Sequence, residues 1–344
     1  MVLPPVTSQP LLPRPAPAGP AGQAVAATPT TSPQANTAAA EAPGLTALQS
    51  VLASARLGAA TMQDGMAVLM ANVLRASAAG NLPPTVQSAV QQVMSLQMPT
   101  DKTPDASAVK NAMLASGLFT EAALAHGETP PADLKTALAQ LAGAAQRWLA
   151  KTPANQPQTE TPAPSVPPPV RGGQPVAQSP ATPSLPQNAI PALTAKLLTT
   201  GSEAALARQN LLQMASLPDQ QQPGETRWIF DVPLMTPQGP AVAQLIVPRD
   251  GKDSTAESPE PVWRIGLAMD IEPLGPVRAN LALSGGHAWV TISADRPDSL
   301  NKLANNSSWL TDALTAATLE SDIAFQSGTG ASSARRSRLV DRAS

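Results

Sequence analysis

Alternating hydrophobic and polar positions mark three strands between residues 263 and 294. Apolar side chains fall on every second residue of each run, which is the period of a half-buried β-strand. Gly285 and Gly286 separate the last two runs, and glycine supplies positive φ at a reversal without a steric penalty. The pattern therefore predicts a tight hairpin preceded by one more strand. The apolar positions are Trp263, Ile265, Leu267, Met269 and Ile271, then Val277, Ala279, Leu281 and Leu283, then Ala288, Val290, Ile292 and Ala294.

The flanking patterns extend this region into a domain. Residues 227–235 and 241–247 read as two strands around a Pro/Gly turn, and residues 322–326 read as a last short strand. Between residues 296 and 317 a leucine stripe at helical spacing predicts one long helix. Antiparallel strands covered by one helix predict a compact α+β domain over residues 226–328. The stripe consists of Leu300, Leu303, Leu310, Leu314 and Ala317, of which Leu303, Leu310 and Leu314 are the core candidates.

Helical periodicity dominates the rest of the patterned sequence. Apolar residues at steps of three and four predict one amphipathic helix over residues 45–73, weakened by Gly58 and Gly65. Further helices are predicted over residues 85–96, 105–116, 133–148 and 189–217. Asp105 is the expected N-cap of the third helix and Gly117 its stop, and Gly201 is a possible break in the last.

Composition divides the chain into six segments. The 39 prolines concentrate between these patterned regions, and six of the eight aromatic residues lie between residues 228 and 325. Proline removes a backbone donor and restricts φ, so the Pro-rich segments predict disorder or a spacer rather than a packed core. The predicted segments are a disordered Pro/Ala-rich N-terminus (1–43), a helical module (44–151), a Pro-rich linker (152–191), a helical connector (192–225), the α+β domain (226–328) and a disordered basic tail (329–344).

Charge and cysteine content narrow the possible functions. The net charge of −2 gives no reason to expect nucleic acid as a partner, and the arginines between residues 335 and 342 read as a solvated terminus. The absence of cysteine removes disulfides, thiol catalysis and cysteine-bound zinc. Prolines interrupt the apolar stretch that a Sec signal peptide would need, and the apolar run at residues 66–74 is shorter than the about 20 residues that span a bilayer. No Sec export and no membrane insertion are therefore expected.

Candidate catalytic side chains are few and dispersed. His126 and His287 are the two histidines, and neither has a neighbouring histidine or cysteine that would complete a zinc site. Asp270 and Glu272 lie two apart, a spacing that could support acid/base chemistry, but Pro273 makes a solvated strand end the simpler interpretation. The sequence therefore predicts no catalytic, cofactor or metal site and favours a protein that is not an enzyme.

Two short motifs carry a resemblance to a known family. Residues 274–281, LGPVRANL, are followed by a glycine hairpin and then by residues 290–297, VTISADRP. This order resembles the C-terminal domain of flagellar hook-length control proteins, which continues with a leucine-striped helix and a short strand. The resemblance covers about residues 227–328. Within it, Leu274, Gly275 and Val277 match the family motif and are the candidate turn and partner-contact residues. The alternative interpretation is that these three residues only build the fold.

The resemblance implies a two-part mechanism. The N-terminal part would leave the cytoplasm through the flagellar type III apparatus and measure the growing hook, contacting hook and hook-cap subunits. The C-terminal domain would then contact the cytoplasmic domain of the export-gate switch protein, and export would change from hook-type to filament-type substrates. The protein would act as a monomer, without a cofactor.

Three other functions stay open at this point. A needle-length regulator of a virulence type III secretion system would share the same plan, and neighbouring genes would separate it from the flagellar case. A secreted structural stalk with a small adhesive head would share the low-complexity composition. An enzyme would need a pocket in the C-terminal domain where polar side chains converge.

Overall fold

The computed structural model describes residues 47–101, 104–128, 132–153, 166–217, 226–249 and 262–328. The chain divides into two units, Met1–Leu45 and Thr46–Ser344, and every described residue lies in the second. The predictions for residues 1–43 and for the tail 329–344 lie outside the described residues. Among the described helices, none combines the length and the hydrophobicity that a bilayer span requires.

The described residues form nine helices and seven strands. The helices are α1 (Ala47–Met62), α2 (Met66–Ala79), α3 (Pro84–Ser95), α4 (Ala106–Leu114), α5 (Thr120–Ala125), α6 (Leu134–Lys151), α7 (Pro191–Ser216), α8 (Pro297–Asn305) and α9 (Ser307–Ala316). The strands are β1 (Met98–Pro99), β2 (Thr226–Thr236), β3 (Gly239–Arg249), β4 (Trp263–Ile271), β5 (Gly275–Ser284), β6 (His287–Ala294) and β7 (Glu320–Ser327). The patterns did not predict β1 and α5, which are too short to show a period.

The seven strands form one sheet in chain order, β1 to β7. The pairs from β2 to β6 are antiparallel, whereas β1 pairs with β2 and β7 pairs with β6 in parallel. The predicted α+β class is confirmed, and the parallel pairs at both ends make the sheet mixed. The predicted hairpin is confirmed as well: Ser284 pairs with His287 across Gly285 and Gly286, whose φ angles are 57° and 80°.

Side-chain caps begin two of the predicted helices. The Asp105 carboxylate accepts a hydrogen bond from the backbone N–H of Ala108 at 2.7 Å, at the start of α4. Asp133 accepts in the same way from the N–H of Thr136 at 2.8 Å, at the start of α6. Each cap satisfies one of the donors that the first turn leaves unpaired, which confirms both predicted starts.

The largest core lies between the helices, and α7 connects it to the sheet. Buried side chains of α2, α3, α6 and α7 pack together there, among them Met70, Val90 and Leu138. At its C-terminal half α7 packs through Leu212 against Ile229 of β2. The opposite face of β2 and β3 forms a separate cluster beneath α4. Helices α8 and α9 contact the far end of the sheet, where α8 contacts β6 and β7 and α9 contacts β7.

The helix predicted over residues 45–73 is two helices. The chain leaves helical geometry between Met62 and Met66. Asp64 accepts a hydrogen bond from the N–H of Gly65 at 2.7 Å, and a Cβ on Gly65 would lie 2.6 Å from Cγ2 of Val166. A residue about 100 positions away therefore lies against the break, at one of the two glycines that weaken the predicted helix.

Two other helix predictions also need correction. Gly201 does not interrupt α7, because it lies where Leu69 of α2 approaches: a Cβ there would be 3.1 Å from the leucine Cδ1. The single long helix predicted after Arg296 is instead α8 and α9, which meet at Asn306. The stripe residues face the sheet only partly, since Leu303, Leu310 and Leu314 are half-buried rather than core residues.

A buried polar network joins α7 to the sheet and to the Pro-rich segment. Arg208 Nε donates to Asp231 Oδ2 at 2.6 Å, and the two side chains are 1 % and 0 % exposed. Asp231 also accepts from the side-chain amides of Gln244, at 2.8 Å, and Gln178, at 3.2 Å. Gln178 in turn exchanges backbone hydrogen bonds with Val242 of β3 at 2.9 and 3.1 Å.

The segment 166–190 therefore contacts both helices and sheet. Arg208 Nη1 donates to the carbonyl of Pro167 at 3.1 Å, and the N–H of Val176 donates to Oε1 of Gln244 at 2.9 Å. The domain boundaries drawn from composition stay predictions, and these contacts cross two of them.

Candidate functional site

The predicted motif lies at the turn between β4 and β5. Residues 272–274 form this turn, closed by a hydrogen bond from the N–H of Leu274 to the carbonyl of Ile271 at 2.9 Å. The Glu272–Pro273 peptide bond is cis. Gly275 then starts β5 at a φ of 69°, a left-handed conformation that glycine adopts without a Cβ penalty. The motif glycine is thus required by the backbone of the reversal.

Arg296 holds this turn from the end of β6. Its guanidinium donates to both carboxylate oxygens of Glu272, each at 2.7 Å, and to the carbonyl of Pro273 at 3.3 Å. A Cβ on Gly275 would lie 2.6 Å from Nε of Arg296. Because Gly275 has no side chain, the Arg296 guanidinium can cross the backbone at this position and reach Glu272.

Two further hydrogen bonds fasten the same turn to the start of α8. Ser299 Oγ donates to the carbonyl of Leu274 at 2.7 Å, and the N–H of Asp295 donates to the carbonyl of Pro276 at 3.3 Å. Residues 272–276 and 295–299 thus form one unit, which we call the turn clamp. Its two halves overlap the start of the first short motif, residues 274–281, and the end of the second, residues 290–297.

No sequence pattern assigned a role in the turn to Arg296 or Ser299. Arg296 belongs to the second motif, so the sequence marked it as part of the family resemblance. No neighbouring residue indicated that its side chain reaches Glu272. An arginine fork that binds a carboxylate through two parallel hydrogen bonds fixes geometry as well as charge. The turn clamp therefore holds the β4–β5 turn against the start of α8.

The ion pair between Arg296 and Glu272 shifts the pKa of both groups. The hydrogen bonds from Arg296 lower the pKa of Glu272, and its positive charge acts in the same direction. The hydrogen bonding to Glu272 conversely raises the pKa of Arg296. Both side chains are nearly half exposed, so solvent and salt weaken the interaction. The pair sets the shape of an accessible surface.

The three predicted motif residues take different positions. Leu274 is half-buried, whereas Gly275 and Val277 are buried, with Val277 at 8 % exposure. Val277 pairs with Met269 and Ala294 on the two neighbouring strands. These residues shape the turn, and their contact with a partner stays a prediction.

The other candidate residues do not converge. Asp270 accepts a hydrogen bond from Ser179 Oγ at 2.6 Å, so Asp270 and Glu272 have separate partners. His287 lies within hydrogen-bond distance of Asp322, 2.9 Å from Nε2 to Oδ2, and its ring contacts Trp289. His126 is an exposed residue at the end of α5. In the described part of the chain no three His, Cys, Asp or Glu side chains are grouped as a metal site would need.

Away from the turn clamp, the described residues line two further clefts of note. One of about 380 Å³ lies beside residues 172–175 and is lined in part by Arg227, Arg264 and Trp289. The other, of about 540 Å³, lies between α1, α5 and α7, with Phe119 and Trp228 in its wall. Both are open and mostly apolar, and neither includes the turn clamp.

The comparisons with known proteins point to the same region as the motif. Residues 251–334 match the family model described as flagellar hook-length control protein FliK. The resemblance inferred from the two motifs is thereby confirmed for the C-terminal region, where residues 251–334 are similar to the hook-length control family. This family consists of structural and regulatory proteins. The comparisons with curated proteins and with solved structures found no match.

Proposed function

We propose that this chain, whose C-terminal region belongs to the flagellar hook-length control family, sets hook length and then switches flagellar export from hook-type to filament-type substrates. The observation that carries the proposal is the family match over residues 251–334, which contains both halves of the turn clamp. The site consists of a turn, an ion pair and strand edges, which suits a domain that acts by binding a partner rather than by catalysing a reaction.

In this proposal the N-terminal part measures the hook during export. The 225 residues before the strand-rich domain could extend to at most about 700–800 Å, at about 3.1 to 3.5 Å per residue. The described helices α1 to α7 pack against one another and against the sheet, so extension requires that they separate from it. The buried pair of Arg208 and Asp231 must open in that step.

The C-terminal domain acts in the second step. It contacts the cytoplasmic domain of the export-gate switch protein, and the turn clamp supplies a defined surface for that contact. Leu274, Gly275 and Val277 contribute by shaping the turn, while Glu272 and Arg296 at its surface are accessible to a partner. Export of the chain itself proceeds through the flagellar type III apparatus.

The test is the length distribution of hooks in cells that lack this protein and in cells that make only residues 1–225. We expect long, uncontrolled hooks without filaments in both strains, because the switch resides in the C-terminal domain. Normal hooks with filaments in both strains would contradict the proposal. A defect in the needles of a virulence secretion system, with normal hooks, would assign the chain to that system.

A variant separates the turn clamp from the rest of the domain. Arg296→Met removes both hydrogen bonds to Glu272 and keeps an apolar side chain of similar length. If the clamp shapes the contact surface, cells with this variant should make longer hooks and fewer filaments at normal protein levels. The matched control is Arg264→Met, which removes an exposed arginine of β4 that lies outside the turn clamp.

A further inference from the structure

Strand β7 is the last strand of the described sheet, and its outer side faces away from β6. Within the part of the chain that the structure describes, β7 has one neighbouring strand, β6. The strand is eight residues long, ESDIAFQS, and contains neither proline nor lysine, two of the residue types by which edge strands are commonly kept from pairing. The opposite edge of the sheet differs, because β1 is only two residues long and ends in Pro99.

The direction of the backbone groups on β7 follows from two hydrogen bonds. The N–H of Glu320 donates to the carbonyl of Gly286 at 3.0 Å, and the N–H of Gly328 donates to the carbonyl of Ala294 at 2.8 Å. Both groups point toward β6 and lie at even positions. Because N–H and C=O of one residue point to the same side of a parallel strand, the even positions pair with β6. Ser321, Ile323, Phe325 and Ser327 therefore direct their N–H and C=O groups outward.

The side chains beside this edge indicate the charge of a suitable partner. Glu320 and Asp322 lie on one face of β7, 3.6 and 2.9 Å from the ring nitrogens of His287 on β6, and their side chains are still 90 % and 73 % exposed. Their spacing of two residues would place basic side chains of an added strand opposite them at alternate positions. Pairing of two copies of β7 would instead bring carboxylates of the same sign together, which costs free energy.

We infer that the outer edge of β7 is a docking site for an extended segment of the export-gate switch protein, which adds an eighth strand with lysine or arginine at alternate positions. Main-chain hydrogen bonds give such strand addition its affinity, and the flanking side chains give it specificity. The inference rests on the proposed function for the identity of the partner. It adds the surface, the mode of binding and the charge pattern.

The test uses the full-length chain and the purified cytoplasmic domain of the export-gate switch protein from the same organism. The variant S321P/S327P removes two outward N–H donors, which an edge strand tolerates because neither bonds to β6. The matched control S321A/S327A removes the same hydroxyls and keeps both donors. Loss of two hydrogen bonds should weaken binding about 30-fold for the proline variant, while the control binds like the wild type.

A second variant and a second readout protect the test against misfolding. E320K/D322K keeps the backbone and reverses the charge, and it should also weaken binding, with less weakening as salt is added. Hydrogen exchange should show that the amides of Ser321, Ile323, Phe325 and Ser327 exchange freely in the free chain and slow down on binding. The amides directed at β6 should stay protected in every variant.

Each outcome decides the inference. Weaker binding, long hooks and missing filaments for S321P/S327P, with a normal control, support it. Normal binding and switching by a folded S321P/S327P protein overturn it and leave the proposed function intact. Protection of the outward amides in the free chain overturns it as well, because the chain or a second copy then occupies the edge. Normal hooks in the deletion strain contradict the proposed function, and the inference falls with it.

Discussion

Replacing Arg208 with methionine tests whether the buried ion pair holds the helices to the sheet. The variant keeps the apolar stem that packs inside the protein but removes the guanidinium. Asp231 then stays buried with two neutral donors, from Gln178 and Gln244. The carboxylate is 0 % exposed, so water cannot replace the lost partner without opening the interface.

The size of the effect follows from this burial. Removing one partner of a buried ion pair typically costs about 3–5 kcal/mol, because the other charge is left uncompensated. Whole domains are stable by only about 5–15 kcal/mol, so the free energy of unfolding should fall by a large fraction. Arg296→Met is the matched control, because it breaks an exposed pair with Glu272 and should have a much smaller effect.

The assay is urea unfolding of the full-length chain, followed by far-UV circular dichroism and by tryptophan fluorescence. The difference in the free energy of unfolding between wild type and variant is the measured quantity, provided that the slope with urea stays the same. The double variant R208M/D231L should lose less than the two single variants added together, because no charge stays unpaired. A loss below about 1 kcal/mol for R208M, or additive losses, would refute the assignment of a tightly buried pair.

Three further predictions concern the turns, the caps and the effect of pH. Gly275→Ala should lower the free energy of unfolding by more than the about 1–2 kcal/mol that a left-handed alanine costs, because its Cβ meets Arg296. Gly286→Ala has open space at its Cβ and should cost only this backbone conformational energy. Urea unfolding of both variants gives the comparison. Asp133→Ala should cost about 1–2 kcal/mol through the lost N-cap of α6, seen as a lower thermal midpoint, and an unchanged midpoint would contradict the cap. Because the pKa of Glu272 is lowered in the folded chain, its contribution to stability is present above the unfolded-state pKa and is lost as pH falls through the folded-state pKa. NMR titration of the Glu272 carboxyl should find a higher midpoint in R296M than in the wild type. Equal midpoints would exclude Arg296 as the cause of the lowered pKa.

Part of the fold was predictable because it depends on residues close together in the chain. The period of two over β4 to β6 and the glycine pair at residues 285–286 predicted the hairpin that the structure contains. Asp105 predicted the start of one helix, since a cap needs only a side chain and an N–H three residues later. The LG-x-V motif likewise indicated the family that the C-terminal region matches.

Helix ends that depend on distant residues were not predictable in the same way. The apolar stripe over residues 45–73 continues through the break before Met66, where Val166 lies against Gly65. Gly201 shows the opposite case, where a residue that favours a break is retained within a helix because Leu69 packs against it. In both cases packing between segments outweighs the preference of the local sequence.

By itself the sequence determined the strand periods, the turn glycines, the capped start of α4 and the family motif. The tertiary structure decided which distant groups meet: Arg208 with Asp231 inside the protein, and Arg296 with Glu272 across the turn clamp. It also decided which strand lies last in the sheet among the described residues. The physical reason is that hydrophobic periodicity constrains which face of an element is buried, whereas the partner of a charged side chain depends on how whole elements pack.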